Sequence, residues 1–363
     1  MFIDGIPQLE TPHGLVKPEQ YQSYPKVPNF DKEAKEAVKY EGLPPLKTAK
    51  SSKDAIFINV RSLYVRRHKS GEVVLRKIGD GVNGVVLVRD GKVACAGSNS
   101  QCGVMRTELV GVPIVDLEGG SIAPGLLSYG APLGMEEIPE EASTSDGVAP
   151  APLIGSVPSL VGGDKYLARA IDGLKFETRD ALSVLVTSRL RLYANPYSYR
   201  IAYRAGVTSA VSAPKHSMFL AGLSAAFSLG SPHRLTTGAI IKRVAALHVS
   251  IVDHVKEPSI STQIAALRSL LLSKGEGDIG EYFNKAAKGG VPLVVATQNA
   301  DVIATLLDLK EEVESTVNGG IVRLVIVGGA EAHLLAKELG EAKVGVIFTR
   351  PRAFPMTWGG RRM

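Results

Sequence analysis

The groups able to carry chemistry are few. Of the seven histidines in 363 residues, His248 lies within GAIIKRVAALHVSI, His254 follows just beyond, and His333 comes after the Gly328-Gly329 pair. An imidazole at such places could bind a metal or move a proton; a lone histidine at ordinary spacing equally suits the surface or the core. Glu136, Glu137, Glu140 and Glu141 follow the Gly/Pro-rich run Gly130 to Gly134. Paired carboxylates do acid-base work or hold a cation, but in a Pro-flanked loop they read as a solvated face. Ser209, Ser212 and His216 offer hydroxyls beside a base. No Gly-x-Ser-x-Gly elbow surrounds either serine, so they read as strand-end hydroxyls. Gly328-Gly329 precedes a helical run without the full Gly-x-Gly-x-x-Gly pattern and downstream acid that a dinucleotide needs.

These groups are positioned by apolar runs. Ser121 to Leu127 reads as a strand that leaves a Gly-Gly turn and empties into Gly130 to Gly134. Small residues at the carboxyl end of a buried parallel strand face a cleft in (β/α) barrels and doubly wound sheets. Asp172 to Asp180 begins a helix-like segment, and Ala205 to Pro214 reads as a buried strand with a Ser/Pro exit. Gly238 to Ile251 reads as a helix or strand. Ser261 to Ser273 is an amphipathic helix with Ile264, Leu267, Leu270 and Leu271 on one face, and Tyr282 to Lys288 is a shorter one. Three α/β units follow. Pro292 to Thr297 precedes the helical run Ala300 to Val313, Arg323 to Gly329 precedes Ala330 to Leu339, and Val344 to Thr349 comes last. Such alternation predicts parallel strands with helices on their outer face. Upstream, from Asp54, alternating residues and an Asp90-Gly91 hairpin signal predict a small β-rich module.

Asp116, Gly120, Pro124 and Gly125 resemble the first barrel strand of the amidohydrolase superfamily, of the imidazolonepropionase-like and fungal carbohydrate esterase family nine-like kind. Many members also begin with strands of a small β-sandwich that includes an Asp-Gly hairpin. The resemblance implies an α/β fold: an incomplete (β/α) TIM-like barrel over 121–363 preceded by a β-rich, half β-sandwich module over 54–120. It implies hydrolysis of non-peptide C–N or related bonds by water activated on a divalent metal, zinc in the family. The ligands themselves are largely absent. The His-x-His pair of the first strand falls on Gly130 and Pro132, and a later strand-end histidine falls on Ala296. The barrel-mouth candidates are therefore Gly130, Pro132, His248, Gln298 and His333, with His333 the surviving candidate ligand. The family also supplies an Asp from its last strand, whereas this chain stops at Met363 soon after Thr349. A hydrolase of reduced competence is one expectation. The alternative is a non-catalytic relative, a pseudoenzyme or fragment, that binds a small molecule or a protein through the same mouth.

Composition bounds the rest. A hydrophobic content of 45% suits a large core, and the net charge of +6 with pI near 9.1 comes without clustered aromatics or a nucleic-acid motif, so nucleic acid is not an expected partner. Cys95 and Cys102 lack the further ligands of a zinc site and read as two unlinked thiols in a reducing compartment, ahead of a disulfide. With no membrane-length apolar run and no signal-peptide layout, the expected location is cytoplasmic. Residues 1–53 read as an extended N-terminal arm, docked or disordered. Residues 183–201 differ from their neighbours, and joining Leu182 to Ala202 gives a more continuous helix-into-strand reading. They read as an insertion or as an ordinary surface loop.

Overall fold

The computed structural model describes residues 2–3, 6–7, 29–41, 53–66, 73–78, 84–102, 111–136, 141–151, 153, 166–176, 206–216, 218–229, 231, 233–252, 258–273 and 275–349. The chain divides into two units, Met1–Leu46 and Lys47–Met363. In the first, β1 (Phe2–Ile3) pairs antiparallel with β2 (Ile6–Pro7), and α1 spans Phe30–Glu41. The Asn29 side chain caps α1 by accepting the Lys32 N–H at 3.0 Å, and Asp31 and Glu33 complement the positive end of its dipole.

The second unit begins with β3 (Ala55–Ile58), β4 (Ser62–Arg66), β5 (Val73–Lys77), β6 (Gly84–Arg89), β7 (Lys92–Ser98), α2 (Asn99–Cys102), β8 (Ile114–Asp116) and β9 (Ser121–Ile122). They form a four-stranded sheet in the order β7-β6-β3-β8 and a three-stranded one in the order β5-β4-β9. Val60, Leu63, Ile78 and Val86 form one buried cluster beside Phe57, Leu117 and Ile122, so residues of both sheets share it. The predicted hairpin joins β6 to β7. Asp90 and Gly91 have φ of 49° and 72°, the left-handed pair that a two-residue turn between twisted strands requires.

The reading of Cys95 and Cys102 as unlinked thiols is corrected, because the two form a disulfide. The chain turns back through α2 directly after β7, which brings the Cα atoms to 5.7 Å, within bonding range. Seven residues of spacing do not reveal that turn, and the cysteines no longer argue for a reducing compartment.

The remaining elements are β10 (Leu126–Tyr129), α3 (Ala170–Gly173), β11 (Val207–Ser212), β12 (Leu220–Leu223), β13 (Ala225–Ser228), β14 (Ile240–Lys242), β15 (Leu247–Ser250), α4 (Ile260–Leu272), α5 (Gly277–Ala287), β16 (Leu293–Thr297), α6 (Ala300–Thr316), β17 (Leu324–Gly328), α7 (Ala336–Glu341) and β18 (Gly345–Ile347). One sheet runs β10-β11-β13-β14, with β10 parallel to β11 and the others antiparallel. The other runs β12-β15-β16-β17-β18; β15 to β18 are parallel and β12 is antiparallel at the edge. The fold is thus mixed α/β.

Parallel strands covered by helices are found where the alternation predicts them. Leu247, Val249, Leu293, Val295, Leu324 and Ile326 pack with Ile264 and Leu267 of α4, Phe283 of α5 and Ile303 and Leu306 of α6 in the largest core. The run Ser121 to Leu127 is not one strand. Ser121–Ile122 pairs with β4 and Leu126–Tyr129 with β11, because Pro124 has no N–H to continue a ladder. The helix expected from Tyr282 begins earlier, at Gly277; Gly277 and Gly280 hide its first turns from propensity. The helix expected from Ala330 opens as a 3-10 turn, Ala332–Leu335, before α7. Of Asp172 to Asp180, the structure shows only the short α3 beginning at Ala170. The stretch 183–201, His254, Glu137, Glu140 and the residues after 349 lie outside the described residues.

Gly222 on β12 faces His248 on β15, with φ of 120° and a backbone approach so close that an added Cβ would stand 2.2 Å from the Ala168 carbonyl oxygen. Gly222→Ala should therefore destabilise the protein by roughly 2 kcal/mol or more. The measure is the denaturant midpoint, and an unchanged midpoint would contradict this packing.

Candidate functional site

The loop after β10 is fixed by its own apolar residues. Leu133 and Met135 are buried with Leu174, Phe176 and Phe227 in the second core. Gly134 between them has φ of 76°, and a Cβ there would lie 2.8 Å from Leu174 Cδ1 and 3.0 Å from the Lys175 carbonyl. Ser212, at the end of β11, donates its hydroxyl to the Leu133 carbonyl at 2.7 Å. It therefore holds the loop, in keeping with its reading as a strand-end hydroxyl. The Pro132 carbonyl accepts the Met135 and Glu136 N–H groups at 2.9 and 3.0 Å, closing the turn. Gly130, with φ of 83°, faces open space.

The reading of the acidic cluster as a solvated face is corrected at one member. Glu136 is only 8% exposed, and Lys215 donates to its two carboxylate oxygens at 2.9 and 3.2 Å. Lys215 arrives from the β11 exit, 79 positions away, which no local pattern reveals. Glu141 is exposed and caps a 3-10 turn by accepting the Ser143 N–H at 3.2 Å.

His248 lies on β15, with Leu247 and Val249 turned toward the helices, so strand alternation sends its ring to the opposite face. There it stacks on Tyr129 at the end of β10, with ring centroids 6.2 Å apart and planes at 19°. The contact joins residues of two sheets, that of β10 and that of β15. His248 is 8% exposed, and neither its Nε2 nor the Tyr129 hydroxyl has a hydrogen-bond partner among the described residues. Burial, and secondarily the proximity of His216, push the His248 imidazole down to about 3. Burial also lowers half-buried His216, opposed by its hydrogen bond with the Pro214 backbone, and raises the Tyr129 phenol. All three groups therefore favour their uncharged forms. Sequence reasoning weighed His248 and His216 separately and missed Tyr129; an aromatic hydroxyl at the exit of an apolar strand is the signal that could have found it.

Gln298 and His333 lie elsewhere, each beside Ala330. Ala330 donates its N–H to Gln298 Oε1 at 3.2 Å, while His333 Nδ1 lies 3.1 Å from the Ala330 carbonyl. Both side chains are exposed. His248 is in register with Val294, four positions before Gln298, so the two places are separated by roughly 13 Å along the strand. Nearby Glu331, 1% exposed, accepts the Ala300 N–H at 2.8 Å at the start of α6 and so acts as a structural cap. Gln298 and Glu331 thus tie the exits of β16 and β17 together.

The family's divalent metal does not fit these residues. Gly130, Pro132 and Ala296 have no side-chain lone pair to give. Among the described residues no group of three or more His, Cys, Asp or Glu could hold a metal ion. What the arrangement offers is hydrogen bonding by neutral groups in an apolar setting.

The His248 shift fixes the sign of one pH effect. The folded imidazole stays neutral down to about 3, whereas the unfolded one takes up its proton near 6.5. The unfolded state then binds more protons, so this histidine's contribution is complete above 6.5 and declines as pH falls toward 3. In denaturation at a series of pH values, His248→Phe should fall less steeply than the parent across that window. Parallel curves would contradict a buried neutral His248.

No protein-family model matches the chain. The chain is similar to amidohydrolase tasK of Hapsidospora irregularis, 26% identical over 411 aligned positions that take in all of this chain and 36% of that protein. It therefore spans about a third of the length of that curated relative. Among solved structures it is similar to the crystal structure of an amidohydrolase from Thermotoga maritima MSB8, with a TM-score of 0.58 and 19% identity, covering 85% of this chain and 73% of that one. That likeness is one of fold. The curated relative supports assigning this chain to the amidohydrolase superfamily, and the solved neighbour agrees with it in fold.

Proposed function

We propose that this chain is an amidohydrolase-superfamily protein whose strand-end mouth receives a small organic molecule, without its own residues assembling the metal-activated water that hydrolyses non-peptide C–N bonds. The observation that carries the reading is the pairing of half-buried Tyr129 with buried His248. They meet across two sheets with free hydrogen-bonding atoms while the ligand positions hold Gly130, Pro132 and Ala296. The architecture read here is an incomplete (β/α) barrel over 121–363, with β10, β11 and β15 to β18 as wall strands. The β-rich module over 54–120 and the arm over 1–53 precede it. The ring contact between the sheets of β10 and β15 supports that reading. So does the helix-covered outer face of β15 to β17.

A second reading, a competent hydrolase of C–N or related bonds, is favoured by the name of the curated relative and by a match that runs the full length of this chain. Such a protein would hold its metal through residues other than those at the expected ligand positions, with exposed His333 as one donor. No helix among the described residues is long and apolar enough to cross a membrane, so neither reading calls on one.

The two readings part on one preparation. Metal analysis of the purified chain, before and after incubation with zinc, should show no stoichiometric retained metal and no zinc-dependent hydrolysis of amide or ester substrates. Tightly held zinc accompanied by such hydrolysis would overturn the first reading in favour of the second.

A further inference from the structure

Acidic side chains are absent from a long part of the sequence. Residues 181–252 contain eight Lys or Arg and no Asp or Glu, more positive charge than the net +6 of the whole chain. Three of these cations, Arg234, Lys242 and Arg243, lie on the hairpin of β13 and β14 or directly after it, at the edge of their sheet. All three are exposed, and among the described residues none pairs with a carboxylate. The connection between the two strands is a folded tip. Thr236 donates its N–H to the His233 carbonyl at 3.1 Å and Ala239 donates to the Thr236 carbonyl at 2.9 Å, while buried Ala239 and half-buried Ile240 root the tip in the second core. On it stands Leu235, 86% exposed and the most exposed large apolar side chain among the described residues. With Ile240 packed on the core, strand alternation sends Ile241 to the other face, where it is 58% exposed. Leu235 and Ile241 are six positions apart, so they lie within about 20 Å of each other.

We infer that this hairpin is a docking surface for an anionic membrane, with Leu235 and Ile241 entering the interface and Arg234, Lys242 and Arg243 set against lipid headgroups. Two causes act together there. The apolar side chains leave water, and the cations beside them meet the negative potential of the headgroups. Cations on an edge strand also deter strand pairing, but that role leaves the exposed leucine of the tip unexplained. Nucleic acid would engage the cations and not the leucine, and residues 229–243 hold no aromatic side chain on which a base could stack. The hairpin lies on the membrane and does not cross it. Its role is independent of what the strand-end mouth holds.

The test is co-sedimentation of the full chain with vesicles of phosphatidylcholine containing about one-third phosphatidylserine. The chain should pellet with these vesicles at low salt, less so as salt is raised, and not with vesicles of phosphatidylcholine alone. Leu235→Ser removes the apolar tip and leaves every cation in place; it should weaken binding roughly tenfold. Lys242→Gln combined with Arg243→Gln should weaken it roughly twentyfold, each cation near the surface being worth about a factor of five. Because the replaced side chains are exposed, the thermal midpoints of both proteins should match that of the parent. No binding to the anionic vesicles, equal binding to both kinds, or Leu235→Ser binding as tightly as the parent would each overturn the inference. So would a preference for single-stranded RNA over the anionic vesicles at the same salt.

Discussion

Covering one face of β15, β16 and β17 with α4, α5 and α6 decides what the opposite face can do. Leu247, Val249, Leu293, Val295, Leu324 and Ile326 are committed to the helices, and each strand alternates with period two. The residues between them, His248, Val294, Ala296, Val325 and Val327, are therefore sent to the other side together. Of these, only His248 carries a polar side chain. Its chemistry is set by a packing constraint on its neighbours, and its neutrality follows from burial.

The second constraint comes from the loop after β10. Leu133 and Met135 plug into the core around Phe176 and Phe227, and Ser212 holds the turn by a hydrogen bond. A loop held by buried side chains has little freedom to rearrange around a ligand, so Gly130 and Tyr129 are presented in a fixed relation to β15. At the other exits Gln298, after β16, accepts the Ala330 N–H beyond β17, and Glu331, beyond β17, accepts the Ala300 N–H at the start of α6. Side chains that look available for chemistry in the sequence are here occupied in holding strand ends and helix starts together.

Much of this fold was legible because its signals are local. The β16, α6 and β17 alternation, the amphipathic helix from Ile260 and the Asp90-Gly91 turn each lie within a short window of sequence, and each is present in the structure. The likeness to amidohydrolases was legible from Asp116, Gly120, Pro124 and Gly125. What escaped depends on distance or on exceptions to propensity. Tyr129 acquires its significance from His248, and Glu136 its ion pair from Lys215, both partners remote in the chain. Cys95 and Cys102 meet only because α2 turns the chain back. Pro124 divides an apolar run that period alone would join. Among the five mouth candidates, the sequence could not separate buried His248 from exposed Gln298 and His333, because face and depth are properties of the sheet.

The central claim is that the strand ends of this amidohydrolase-like chain form a neutral ligand site in place of a metal centre. The most direct measurement is anomalous X-ray scattering at the zinc edge from crystals of the chain soaked in zinc. The account predicts no zinc peak within coordinating distance of the loop at 130–132, of the end of β16 or of His248. A fully occupied peak held by protein ligands at any of these places would contradict it.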